Sequence, residues 1–208
     1  MFNKIKHFIR ESWLLLFTSF LFGLLVALAD AAWSTKAEQN KANKLRDLMA
    51  NLISDANSFE LAIEGAQMPG DKGQTVKTDI YKAVDKQGNS LGFAFVAAGT
   101  GFADKIELVV AVDAKCERLF GFNVLTSNET PGFGDRIKNT SFSDQFKGAP
   151  AGGLALVKIG DAGKIDQEIV AISGATVTST AVVNIFNKSI TSAKEQLHEK
   201  GLITDDGR

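Results

Sequence analysis

Apolar positions along this chain fall into three regimes. From Ser12 to Ala29 (SWLLLFTSFLFGLLVALA) they form one block without a single charge. Eighteen helical residues at about 1.5 Å each reach roughly 27 Å, enough for the hydrocarbon slab of a bilayer with its interfacial ends. Lys4, Lys6 and Arg10 precede the block and Asp30 follows it, so the charge asymmetry predicts the N-terminus on the cytoplasmic side and everything after Asp30 outside. Trp13 and Trp33 flank the block as interfacial aromatics do. A cleaved signal peptide would have a shorter apolar core, of about 7–15 residues, although Ala27-Leu28-Ala29 has the form of a cleavage site. A buried helix of a soluble protein would carry a polar face, and this one is apolar all round. The expectation is an uncleaved single span.

The second regime has the helical period. Thr35 to Ala56 places Leu45, Leu48, Met49, Leu52 and Ile53 at spacings of three and four, and Thr178 to Lys200 aligns Val182, Ile185, Phe186, Ile190, Ala193 and Leu197 in one stripe, with Gly201 as its stop. The third regime lies between them. Asp79–Val84, Ser90–Ala97, Ile106–Val112, Leu119–Leu125 and Leu154–Ile159 are short runs rich in Val, Ile, Leu and Phe, separated by Gly, Asn and Asp turns. Ala66–Gln74 (AQMPGDKGQ) reads as a turn, and Phe142 and Phe146 as core anchors within the irregular stretch 132–150. Strands in the middle with helices at both ends predict an α+β fold with a mostly antiparallel sheet. The boundaries expected are a cytoplasmic N-terminus over 1–11, a transmembrane helix over 12–32, a connecting helix over 33–65 and a folded extracytoplasmic domain over 66–208.

Composition narrows the chemistry. Twenty-three basic residues against 24 acidic ones give a net charge of −1, with no basic surplus to suggest nucleic acid. One cysteine, Cys116, excludes an internal disulfide, a CxxC pair and an iron–sulfur cluster held by this chain alone. The two histidines, His7 and His198, lie near opposite ends. They leave little material for a zinc site or a Ser-His-Asp triad, so neither a metal site nor a catalytic residue is expected. Hydroxyls, backbone amides and a bound cofactor remain.

Two segments carry such groups. Ser173-Gly-Ala-Thr176-Val-Thr178-Ser179 lies just before the C-terminal helix. Amides at a helix start lack intrahelical partners and carry the positive end of the helix dipole, an arrangement that takes phosphate readily. Gly174 and Ala175 would let a bulky group approach the backbone. By spacing alone the string also fits a plain helix start, with Thr178 or Ser179 as N-cap. Asn128–Ile137 (NETPGFGDRI) has a Pro131-Gly132 turn, with Glu129 and Thr130 presenting an acceptor and a donor; it fits a ligand-facing loop and a solvated hairpin turn alike.

Together, the ETPG-x-G-D-[KR]-I loop and, some forty residues on, SGAT-x-TS ahead of an amphipathic helix resemble the FMN-binding domain of the G subunits of Rnf electron-transport complexes. The related C subunits of Na+-translocating NADH:quinone reductases are similar. The likeness runs over nearly the whole chain, and Gly99-Thr-Gly101-Phe102 looks like a degenerate form of the family's Gly-rich loop near the flavin.

The resemblance implies FMN attached covalently, through a phosphoester to Thr176, which would make the chain both a flavoprotein and a phosphoprotein. It implies that Ser173 and Thr178 supply hydrogen bonds to the cofactor, beside Gly174 and Ala175, which leave the backbone open to it. Glu129, Thr130, Gly132 and Gly134 would border the ring with Gly101, while Phe102, Phe133 and Val177 shield it. The flavin-attaching enzyme of this family usually meets an Asp three positions before the first Ser/Thr of the string, here Ser173, and at that place this chain has Val170. The activity implied is electron transfer within a membrane translocase that couples ferredoxin oxidation and NAD+ reduction to Na+ or H+ transport. Partners would be the other subunits of the complex, the flavin transferase and membrane lipid, at the bacterial inner membrane. The alternatives are the quinone-reductase protein and a membrane-anchored module without cofactor.

Overall fold

The computed structural model describes residues 2–70 and 73–203. The side chains of Lys4 and Lys6 and the Asp71-Lys72 pair of the expected turn lie outside the described residues. The chain divides into two units, one up to Lys44 and one from Leu45 onward.

The first helix, α1, runs without a break over Phe2–Leu52. From Trp13 to Trp33 its residues are exposed, Phe20 and Trp33 by 71% and 72%. A helix this apolar, with no protein over any face, is suited to a bilayer rather than to water. The helix is long and apolar enough to cross one.

The second unit begins with the last turns of α1. Five strands follow in chain order: β1 (Ser58–Pro69), β2 (Thr75–Val84), β3 (Ser90–Thr100), β4 (Lys105–Asp113) and β5 (Leu119–Ser127). They pair in the order β1-β2-β3-β4-β5, each antiparallel to the next. A 3₁₀ turn at Gly134–Lys138, a single-turn helix α2 (Thr140–Ser143) and a second 3₁₀ turn at Asp144–Phe146 come next. The short strands β6 (Ala155–Val157) and β7 (Glu168–Val170) pair in parallel, and α3 (Thr176–Glu199) closes the unit. The fold is α+β with a mostly antiparallel sheet.

The expected connecting segment over 33–65 therefore divides: helix to Leu52, then strand from Ser58. The alternation of β1 is broken twice, between Leu61 and Ile63 and between Ile63 and Ala66, where the ladder with β2 shifts register. Gly65 sits there at φ +61°, its amide donating to Asp79 Oδ1 at 2.9 Å. A bulge of this kind slips the period of two, so the segment does not read as a strand. The expected turn over 66–74 is correspondingly shorter, because β1 extends to Pro69.

Side chains alternate across the sheet as the pleat requires. Phe93, Phe95 and Ala97 of β3 and Ile106, Leu108 and Val110 of β4 face one way, into a large core with Val182, Phe186, Ile190 and Leu197 of α3. Ala94 of β3 and Val109 and Ala111 of β4 face the other way, against Met49 and Ile53. Small residues on that second face leave room for the end of α1. Within the larger core Phe122, Phe146 and Phe186 pack at centroid distances of 4.6–5.4 Å. Phe142 meets Phe146 edge-on at 5.4 Å, a favoured aromatic geometry. Both anchors expected between 132 and 150 are thus fully buried.

Amide side chains set the position of α3 against the rest. Asn187 exchanges two bonds with the backbone of Leu154, at 2.9 and 2.8 Å. Gln196 does the same with Gln67 on the edge strand β1, accepting at 2.9 Å and donating at 2.8 Å. The helix ends in a Schellman motif: Gly201, at φ +66°, donates to His198 O and Leu202 to Leu197 O, both at 2.9 Å.

Candidate functional site

Three stretches far apart in sequence meet at the N-terminal end of α3: the β3–β4 turn, the loop after β5 and the residues entering α3. They line a cleft of about 510 Å³ formed by Phe102, Glu129, Thr130, Phe133, Gly134, Gly174, Ala175, Thr176, Val177 and Thr178.

The helix begins at Thr176, with Ala175 as N-cap and no side chain capping it. This corrects the reading of Thr178 or Ser179 as N-cap. Ser179 instead lies inside the first turn, accepting from Ile172 N at 3.1 Å and donating to Ala175 O at 3.0 Å. It holds the incoming chain, while the first amides of α3 keep no intrahelical partner and the helix dipole favours an anion beside them. Thr176, half-buried in the first position of the helix, puts a hydroxyl at that same end. Gly174 turns the chain at φ +81°; a Cβ there would come within 3.4 Å of the Phe133 ring.

The chain entering this turn is fixed from behind. The side-chain amide of Gln145, itself buried, accepts from Val170 N at 2.7 Å and donates to Val170 O at 3.3 Å, standing in for a strand neighbour of β7. Arg136 Nη1 donates to Ser173 O at 3.1 Å, joining the two motif segments directly.

Glu129 is the polar centre of the cleft wall. It is 5% exposed. Its Oε1 accepts from the amides of Ala103 at 2.9 Å and Asp104 at 3.4 Å, and its Oε2 accepts from the Thr178 hydroxyl at 2.5 Å. Two glycines make room for it: a Cβ on Gly101 would lie 2.3 Å from Oε1, and one on Gly134 would lie 2.6 Å from Oε2. A further bond, Asn128 Nδ2 to Asp104 Oδ2 at 2.8 Å, ties the same two loops at the surface. That bond and the Lys105 amide hold the Asp104 carboxyl below its usual range.

Around this polar centre the rim is apolar and open. Phe102, Phe133 and Val177 are 66%, 55% and 57% exposed although they border a cavity. Large apolar side chains left this open at the mouth of a pocket suit a flat apolar ligand. The structure thus gathers most of the sequence-predicted site residues. Ser173 and Gly132 are exposed beyond the lining, and Gly101 lies behind Glu129. The contributions of Arg136, Asn128 and the Ala103 and Asp104 amides were not expected. Arg136 and Asn128 stand inside the NETPGFGDRI segment, but nothing in their spacing points to partners dozens of residues away.

Residues 101–191, a span that includes every residue lining this cleft, match the model of the FMN-binding domain family. The chain is 30% identical to the G subunit of the ion-translocating oxidoreductase complex of Methanosarcina acetivorans over 80% of its own length and 84% of that protein. It is 32% identical to the G subunit of the proton-translocating ferredoxin:NAD(+) oxidoreductase complex of Clostridium ljungdahlii over 86% of each chain. The chain belongs to this family, the G subunits of ion-translocating oxidoreductase complexes. Its fold is shared with the C subunit of the Na(+)-translocating NADH-quinone reductase of Parabacteroides distasonis, at a TM-score of 0.57 and 18% identity over 83% of this chain and 98% of that one.

Proposed function

We propose that this protein carries electrons on an FMN whose phosphate is esterified to Thr176. The observation that carries this reading is the position of the Thr176 hydroxyl at the uncapped first turn of α3, on the lining of the cleft with the apolar rim. When bound, FMN supplies the electron chemistry, and the protein supplies position and electrostatics. The amides at the start of α3 face the phosphate, whose charge the helix dipole favours. Phe102, Phe133 and Val177 cover the ring and limit its contact with water. Glu129, Thr130, Gly132, Gly134, Gly101, Ser173, Gly174, Ala175 and Thr178 complete the site, and no side chain needs to move a proton.

The ester makes the cofactor part of the chain, so it stays with the protein through every redox cycle. In this reading α1 crosses the bacterial inner membrane between residues 12 and 32, with residues 1–11 cytoplasmic and the folded domain outside. The protein hands electrons to neighbours within a complex that links ferredoxin oxidation and NAD+ reduction to Na+ or H+ movement. A flavin transferase loads Thr176, approaching a segment in which Val170 replaces the usual Asp.

The deciding measurement is the intact mass of the chain purified from a host that has the transferase, with fluorescence of the denatured protein on a gel. An FMN adduct on the peptide spanning 165–188, absent from Thr176→Ala, is the expected result. A bare peptide in the unsubstituted protein overturns the reading. An adduct that survives in Thr176→Ala moves the attachment to a neighbouring hydroxyl.

A further inference from the structure

We propose that Glu129 is a positioning residue that sets the spacing between the walls receiving the ring, without offering the ring a hydrogen bond itself. The inference rests on the flavin reading above and adds to it. Both carboxylate oxygens are engaged within the protein. Oε1 holds the amides of Ala103 and Asp104, next to Phe102, and Oε2 holds the hydroxyl of Thr178, next to Val177. Glu129 itself stands four residues before Phe133 on the third wall. One buried side chain thus links the three backbone segments that carry the three exposed apolar residues of the rim.

The glycines support this assignment independently. Gly101 stands against Oε1 of Glu129 and Gly134 against Oε2, each closer than a Cβ tolerates. The backbone is therefore drawn in around the carboxylate. A residue that merely filled space would not need two amides, a hydroxyl and two side-chain-free approaches. Hydrogen bonds donated by backbone N–H groups to a carboxylate are stronger than those between neutral groups, and losing the acceptor leaves its donors unsatisfied.

The phosphate end is built from backbone, the first amides of α3 and the turn at Gly174, whereas the bond recorded between Glu129 and α3 goes to the side-chain hydroxyl of Thr178. Loosening Glu129 should therefore weaken recognition of the ring and leave recognition of the phosphate unchanged. Riboflavin and FMN, which share the ring and differ in the phosphate, separate the two ends.

The experiment uses the full-length chain in detergent, in a Thr176→Ala background so that flavin binds reversibly, with affinity read from quenching of flavin fluorescence. Adding Glu129→Ala should weaken FMN and riboflavin by the same factor, about tenfold or more, the worth of one hydrogen bond to a charged group. Thr178→Val, which deletes a single bond to the carboxylate, should weaken both by a smaller equal factor, and Thr178→Ser should restore them. Should Glu129→Ala fail to fold, the Thr178 pair decides alone. Equal binding in Thr178→Val and its parent, or a loss confined to FMN, overturns the positioning role. A parent that binds neither flavin overturns this role, and the flavin reading falls with it where the unsubstituted chain also carries no adduct.

Discussion

Gly101 and Glu129 stand so close that the nearest carboxylate oxygen lies 2.3 Å from where a Cβ on the glycine would be. The same Cβ would meet Ile106 Cδ1 at 2.7 Å and Asp104 O at 2.9 Å. One of these neighbours is backbone, so the site cannot simply turn a side chain aside. Gly101→Ala should lower unfolding stability by about 1–3 kcal/mol through overpacking, read from the midpoint of a urea titration.

Gly132 gives the opposite case. Nothing lies within 4 Å of its Cβ position, but its φ is +78°. An alanine there costs only the left-handed backbone, about 1–2 kcal/mol. Gly132→Val, with its branched side chain beside the Phe133 loop, should disturb the flavin spectrum more than the urea midpoint. An unchanged spectrum would remove this loop from the ring's surroundings.

The Cys116 thiol is buried, and burial first, then the charge of Asp113, pushes its pKa from 9.0 up to about 12. Below pH 9 the thiol is neutral in both folded and unfolded chains and adds no pH dependence. Between about pH 9 and pH 12 the unfolded chain ionises first, so stability should fall across that window. At pH 8 a thiol reagent should leave the native protein unlabelled and modify Cys116 fully in denaturant.

Phe186 touches both Phe122 and Phe146, at 5.4 and 4.6 Å, from the middle of α3. Phe186→Ala should cost about 3–5 kcal/mol, with flavin retention falling in parallel, because the same helix carries Thr176. Differential scanning calorimetry and bound-flavin absorbance on one sample would show whether the two losses track.

On the opposite face of the sheet, Met49 is 1% exposed against the alanines of β2, β3 and β4. Asn123 Nδ2 donates to Leu48 O at 3.1 Å, satisfying a carbonyl near the helix end. Met49→Ala should destabilise the domain by about 2–5 kcal/mol. Its flavin content should stay unchanged in whatever fraction remains folded.

Much of this was legible because periodicity survives where packing is two-sided. Strands β2 to β5 and both long helices follow their spacing of apolar residues. Helix α3 starts two residues before the predicted Thr178, since Ala175 can cap without a side chain and so leaves no polar signature. β1 was hidden by its bulges at Leu61–Ala66. β7, with three residues, is too short to show a period and is held by Gln145 instead. In the site, the motif strings located the lining but not its wiring. Thr178 and Glu129 are 49 residues apart, and no local rule pairs them.

The strictly sequential order of the five-stranded sheet has a consequence for how the chain matures. Each strand finds its partner in the segment just before or after it, so the meander can zip up through short closures. The cleft cannot, because it joins the turn at 101–104, the loop at 129–134 and the start of α3, which is made after all seven described strands. A nascent chain therefore owns a sheet well before it owns the cleft, and only a molecule with α3 docked presents that cleft whole.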